Sequence, residues 1–280
     1  MTYRSLLVHL GPDSLCGART RTAIRLARDL KCHLVGVAPT GLISVPITEE
    51  VAVSLPQFAA LAWDTVRQST RQVIQEFRDA CGAAKLESFE AILDESGQAP
   101  SLVQRAHCSD LVIMSQPDPQ TQGHAFAEEV VSDVVLNSAR PTLVLPYIGG
   151  GENIGSRALV AWDDSLEAAR AISDALPLLR RAGNVQVVSW IERGQQEDAT
   201  LRTRLDALHR WLLWHGVSAD VQVEPIDIPI AEAMLSRASD QGADLIVMGA
   251  YDHARWSQRV FGGATRGLLR TMTVPVLMSH

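Results

Sequence analysis

Short apolar runs alternate with amphipathic stretches along the chain, and the whole series occurs twice. Residues 5–10 form an apolar run of strand length before the turn signal Gly11-Pro12-Asp13. From about 17 to 30, Ala23, Ala27 and Leu30 recur at helical spacing and predict one buried face. Residues 33–38 read as a second strand, 39–56 as an irregular insertion and 57–81 as a long helix. Strands at 86–92, 111–114 and 142–145, with helices at 100–108 and 128–138, complete the first unit. The second unit opens with a strand at 158–162 and a helix with Ser165 as N-cap. Ala168, Ala171, Ile172, Ala175 and Leu179 mark the buried stripe of that helix, and Pro177 predicts a kink or an early end. Strands at 185–190, 221–224, 245–248 and 274–279 follow. Between them lie one helix marked by Leu201, Leu205, Leu208 and Leu212, and another opened by Pro229 and ending near Gly242.

The repetition is also literal. Asp110-Leu-Val-Ile-Met-Ser115 returns as Asp244-Leu-Ile-Val-Met-Gly249, and Pro141-Thr-Leu-Val-Leu145 returns as Pro275-Val-Leu-Met-Ser279. Both pairs are 134 positions apart (110 to 244, 141 to 275), so nothing is gained or lost between them. Equal spacing of this kind indicates two copies of one domain. Apolar strands alternating with helices imply a parallel α/β sheet covered on both faces. The expected division is a first domain at 1–147, a linker at 148–155 and a second domain at 156–280. The glycines at 149–151 precede a strand instead of following one, so they read as linker and not as a nucleotide loop.

Composition narrows the function. A chain of 280 residues, 46% hydrophobic and 20% charged, suits two domains with a core each. The net charge is −7 and the basic residues form no run, which argues against a nucleic-acid or anionic-membrane partner. Lys31 and Lys85 are the only lysines, so an anion bound in the second half depends on arginine or backbone N–H groups. Cys16, Cys32, Cys81 and Cys108 show neither a Cys-x-x-Cys pair nor zinc spacing and read as reduced thiols of a cytoplasmic protein. The first residues read as the approach to a strand and not as a signal peptide, and no apolar run nears the ~20 residues of a membrane helix. Phosphate-loop, serine-hydrolase and zinc-protease signatures are absent, and no set of residues has metal-ligand spacing. No catalytic residue is therefore named, and His209 and His215, beside Trp211 and Trp214, read as the cover of a helix end.

Open parallel sheets bind ligands beyond the C-terminal strand ends, where the winding reverses. Two such ends carry unusual residues in the second half. Asp163 follows strand one, Gly249 follows strand four, and Gly262-Gly263 lies thirteen residues on, at an expected helix start. Missing side chains let backbone N–H groups approach an anion, and a helix N-terminus adds a favourable field. A lone Asp after a strand also has a plain reading as a turn or cap residue.

With these residues in view the chain resembles a tandem member of the universal stress protein family, whose domains are similar to the adenine nucleotide α-hydrolases. The resemblance implies two Rossmann-like domains, each a five-stranded parallel sheet with helices on both faces. It also implies an ATP site built from Gly-x2-Gly-x9-Gly-(Ser/Thr) after strand four and an Asp after strand one. Here Gly249 and Gly262 match at the right spacing, and Asp163 matches the acid. Asp252 stands in the second glycine position, where its charge calls for a bridging cation such as Mg²⁺ beside phosphates. Gly263 stands at the Ser/Thr position, and His253 reads as a surface histidine or a phosphate contact. The implied ligand is ATP or another adenine nucleotide, held by Asp163, Gly249, Asp252, His253, Gly262 and Gly263.

In the first half Gly11 stands at the position of Asp163, Ser115 at Gly249 and Asp118 at Asp252. Glu128 and Glu129 stand at the two glycines, where carboxylates at a helix N-terminus would take the place of a phosphate. This copy is expected to bind no nucleotide and to serve structurally, pairing with the second half through the last strands, 142–145 against 274–278. The expected function is a non-catalytic stress-response sensor or scaffold with protein partners, and a homodimer is open to it. The alternatives are a nucleotide-independent scaffold and a slow ATPase.

Overall fold

The computed structural model describes residues 2–41, 56–121, 123–148, 154–193, 199–250 and 261–280. The first half contains β1 (Ser5–His9), α1 (Cys16–Leu30), β2 (His33–Pro39), α2 (Pro56–Ala83), β3 (Phe89–Asp94), α3 (Gln98–Ala106), β4 (Leu111–Ser115), α4 (His124–Asn137) and β5 (Thr142–Leu145). The second contains β6 (Arg157–Ala161), α5 (Leu166–Leu179), β7 (Asn184–Glu192), α6 (Ala199–Trp214), β8 (Asp220–Ile226), α7 (Ile230–Gln241), β9 (Leu245–Gly249), α8 (Phe261–Thr271) and β10 (Val276–Ser279). Most of the expected insertion, at 42–55, and most of the linker, at 149–153, lie outside the described residues.

The ten strands among the described residues form one sheet, in the order β3-β2-β1-β4-β5-β10-β9-β6-β7-β8. Neighbours are parallel everywhere except at the seam, where β5 meets β10 antiparallel. Leu143 pairs with Leu277, flanked by Val144 with Val276 and Thr142 with Met278. Leu143 and Leu277 are the same position of the two repeats. A local two-fold axis therefore passes between them, and the seam is an isologous interface inside one chain. It is the pairing expected from the sequence.

Alternation along the strands divides the core. Leu6 and Val8 of β1 and Ala158 and Val160 of β6 face one side, under α1, α2, α5 and α6. Leu7 and Leu159 face the other, under α3, α4, α7 and α8. Each fully buried Leu or Phe here, such as Leu6, Phe77 or Leu159, contributes about 1.5–3 kcal/mol. The repeated aspartates have a structural reason. Asp110 accepts hydrogen bonds from the Arg4 and Ser5 N–H groups, and Asp244 from those of Gly155, Ser156 and Arg157. Each carboxylate ties down the start of its half's central strand, at the edge opposite the C-terminal strand ends.

Two boundaries differ from expectation by three residues or more. β3 begins at Phe89, three residues late, because Lys85 takes a left-handed conformation (φ 51°) and Leu86 turns back to donate to the Cys81 carbonyl at 3.0 Å. That is a helix C-cap, closed by a left-handed residue. α4 begins at His124, four residues early, with Gly123 at φ 85° as its N-cap. Pro177 does not end α5, which continues to Leu179.

Candidate functional site

In each half the winding reverses between the central strand and its neighbour, β1 against β4 and β6 against β9. In the second half Asp163 lies just beyond β6 and is exposed. Its Oδ1 accepts from the Ser165 N–H at 3.1 Å and the Ser165 hydroxyl at 2.6 Å. Ser165 in turn caps α5 by accepting from the Ala168 N–H at 3.1 Å. Asp164 is left-handed, at φ 64°, and pairs with Arg204 of α6. The turn thus fixes the exposed Asp163 through one oxygen, while Oδ2 has no hydrogen-bond partner among the described residues. Trp162, only 8% exposed, has an indole N–H with no partner among the described residues.

Gly249 ends β9. A Cβ there would lie 2.6 Å from the Ala168 nitrogen and 2.7 Å from the Glu167 carbonyl carbon. The missing side chain therefore lets the first turn of α5 rest on the strand end, a packing reason independent of any ligand. Ala250 follows, donating to the Ser279 carbonyl at 2.9 Å, with the His280 ring 3.0 Å from its own carbonyl. Gly262 and Gly263 are the second and third residues of α8, within the turn whose N–H groups have no intrahelical partner. Asp252 and His253 lie outside the described residues.

The first half is built differently. Arg19 of α1, 2% exposed, reaches into the angle between β1 and β4. Its Nε donates to the His9 carbonyl at 2.6 Å, its Nη1 to the Ser115 hydroxyl at 2.9 Å, and its Nη2 to Asp13 at 2.9 Å. Burial alone would raise the Asp13 carboxyl. The Arg19 charge and hydrogen bond, with smaller help from His9 and the Leu15 N–H, outweigh it and hold the carboxyl below its ordinary value. Loss of hydration, then the Arg19 charge, push His9 down to about 3 against the opposing pull of Asp13. Gly11 leaves the same cluster room, because a Cβ would fall 2.8 Å from the Asp13 carboxylate and push it aside. Asp118, the counterpart of Asp252, closes a turn by accepting from the Gln120 N–H at 2.9 Å.

The expectation that Glu128 and Glu129 stand at a helix N-terminus is corrected. Because α4 starts at His124, neither lies in its first turn. Glu128 reaches across the seam to Arg270 of α8 at 3.1 Å, with His124 at 3.5 Å, and the Arg270 hydrogen bond is the main cause of its lowered pKa. Arg19, not a glutamate, fills the first half's crevice. Its sequence signal was present: Arg19, Ala23 and Ala27 share a spacing of four, so the predicted apolar face carries an arginine one turn earlier. α5 has no equivalent. Its one arginine, Arg170, is exposed and donates to the His280 carbonyl.

Residues 156–280 match the model of the universal stress protein family. No curated protein matches the chain. Among solved structures, a universal stress protein from Archaeoglobus fulgidus DSM 4304 superposes with a TM-score of 0.73 and 16% identity, over 98% of this chain and 95% of that one. A functionally unknown protein from Pseudomonas aeruginosa PAO1 superposes with a TM-score of 0.58 and 16% identity, over 99% of this chain and 92% of that one. At these identities the likeness shows a shared fold across both halves.

Proposed function

We propose that this chain is built of two universal-stress-protein units, since residues 156–280 match that family's model and the whole chain shares its fold with a universal stress protein. From that premise we propose that it is a non-catalytic stress-response sensor or scaffold that takes an adenine nucleotide, ATP among them, in the second half alone. The observation that carries the proposal is the contrast at the two equivalent crevices. In the first half a buried guanidinium is satisfied by Asp13, Ser115 and the His9 carbonyl. In the second half an oriented, exposed carboxylate stands at the crevice edge, and no arginine is turned inward from α5.

The residues fit the ligand in kind. Asp163 Oδ2 is an acceptor for ribose hydroxyls, and the first turn of α8, carrying Gly262 and Gly263, offers N–H donors and a favourable field for phosphate. Asp252, next to phosphates, would act through Mg²⁺, and His253 would add a contact to them. The test is a titration with ATP, ADP and AMP, with and without Mg²⁺, followed by tryptophan emission, since Trp162 adjoins Asp163. A saturable change that Asp163→Ala weakens about tenfold, the scale of one hydrogen bond to a charged group, supports the proposal. A flat signal at millimolar nucleotide leaves the nucleotide-independent scaffold. Phosphate release above background, lost with the same substitution, would favour the slow ATPase.

A further inference from the structure

Three arginines that look scattered in the sequence are gathered by the winding of α1. Arg21, Arg25 and Arg28 fall at i, i+4 and i+7 and line a groove of about 270 Å³ between α1 and α2, floored by Ile24, Ala80 and Ala84. No acidic side chain is among the residues that line it. Over the other shoulder of α1, where it meets α5, a second groove of about 230 Å³ is lined by Arg25 again and by Arg181. Asp29 is the carboxylate at that second groove, and its backbone carbonyl accepts from Arg181 at 2.5 Å. Arg21 and Arg28 are exposed, and the nearest charge to Arg28 is Asp29 at 3.9 Å. This band lies on the sheet face covered by α1, α2 and α5, and none of its residues belongs to the strand-end crevices.

We infer that this face docks an acidic amphipathic helix of a partner protein. Two parallel helices leave a furrow into which the side-chain ridge of a third can pack. Ala80, near the end of α2, and Ala84, just past it, keep the furrow apolar, so a partner's leucines have surface to bury. Glutamates at matching i, i+4 and i+7 spacing on the partner would meet the arginine rim. A nucleic acid or an anionic membrane fits less well. Its charge extends far beyond one furrow, while this chain carries a net charge of −7. The inference is independent of nucleotide binding.

The probe is a fluorescein-labelled synthetic helix of about 20 residues, long enough to hold its fold, with Glu on one face and Leu on the other. Its anisotropy is followed with the full chain. Saturable binding is expected, weakened by salt and at least tenfold by the double reversal Arg21→Glu with Arg28→Glu. The milder pair Arg21→Gln with Arg28→Gln should weaken it less, keeping the comparison interpretable should the reversal fail to fold. Asp163→Ala should leave binding unchanged. The inference is overturned by an absence of saturable binding, or by equal binding to the glutamine and wild-type proteins. It is also overturned by equally effective competition from single-stranded DNA or phosphatidylglycerol vesicles, which would reveal a general polyanion surface.

Discussion

Arg19 and Asp163 occupy corresponding crevices with opposite charge and opposite exposure, and each implies a measurable cost when changed. Arg19→Met removes the partner of Asp13 and leaves the Ser115 hydroxyl and the His9 carbonyl short of a donor. Breaking a fully buried pair costs ~3–5 kcal/mol, but the Asp13 side chain is 42% exposed and water recovers part of the loss. We expect about 2 kcal/mol by urea unfolding, and a loss under about 0.5 kcal/mol would show that the cluster is not structural. The same cluster sets an acid response. The His9 pKa is depressed in the fold to about 3 from an ordinary value of 6.5, so between those values the unfolded chain takes up a proton that the folded one refuses. Stability should therefore fall as pH drops from about 6.5 towards 3, by at most ~1.4 kcal/mol per pH unit for one proton. His9→Gln should flatten that slope, and an unchanged slope would locate the titration elsewhere. Asp13 adds its own loss lower down, as pH falls through its depressed pKa. Asp163 was singled out in the sequence by its place directly after strand one, with Gly249 at the neighbouring strand end, and its contacts with Ser165 fit the plain reading of such an acid as a turn residue. Arg19 was hidden because the stripe Ala23, Ala27, Leu30 looks complete without it.

At the scale of elements, the strand-four glycine shows how a motif residue serves packing. Gly249→Ala would place its new methyl 2.6 Å from the Ala168 nitrogen, on backbone that cannot swing aside. α5 must shift, at a cost of ~1–3 kcal/mol typical of overpacking, and Asp163 would move with the turn that caps it. Differential scanning calorimetry should show a lower midpoint, whereas an unchanged midpoint would mean the helix start is loosely held. In the first half Ser115 occupies the matching place and its hydroxyl receives Arg19, so the two helices approach their strands differently. Strand and helix order was readable throughout from apolar spacing. The boundaries that slipped are those set by backbone conformation, the left-handed Lys85 before β3 and Gly123 before α4. Neither signal is hydrophobic, and spacing is blind to both.

For the whole molecule the two-fold seam is the organising feature. It was legible because the last strands repeat without insertion, so their pairing register could only centre on equivalent residues. Leu143 and Leu277 are both fully buried and face each other. Leu143→Ala and Leu277→Ala should each cost ~2–5 kcal/mol, with a double variant that departs from additivity because the two share one contact. Both should lower a single unfolding transition, since one sheet runs through the molecule. Two separate transitions in the wild-type protein would show that the halves are independent. The Glu128–Arg270 pair also spans the seam, but it lies at the surface, and its loss should change little. What the sequence did not reveal at this scale is the gathering of Arg181 beside Arg25, residues 156 positions apart that only the docking of the halves brings together.

The two crevices share a form and differ in content: the buried Arg19 guanidinium fills the first, and the exposed Asp163 carboxylate, proposed to hold a nucleotide, stands at the second. Equilibrium dialysis of the full chain against radiolabelled ATP with Mg²⁺ counts them directly. One nucleotide per chain, bound about tenfold more weakly by Asp163→Ala and equally well by Arg19→Met, is the predicted result. Two per chain, or one whose affinity Asp163→Ala leaves unchanged, would contradict it.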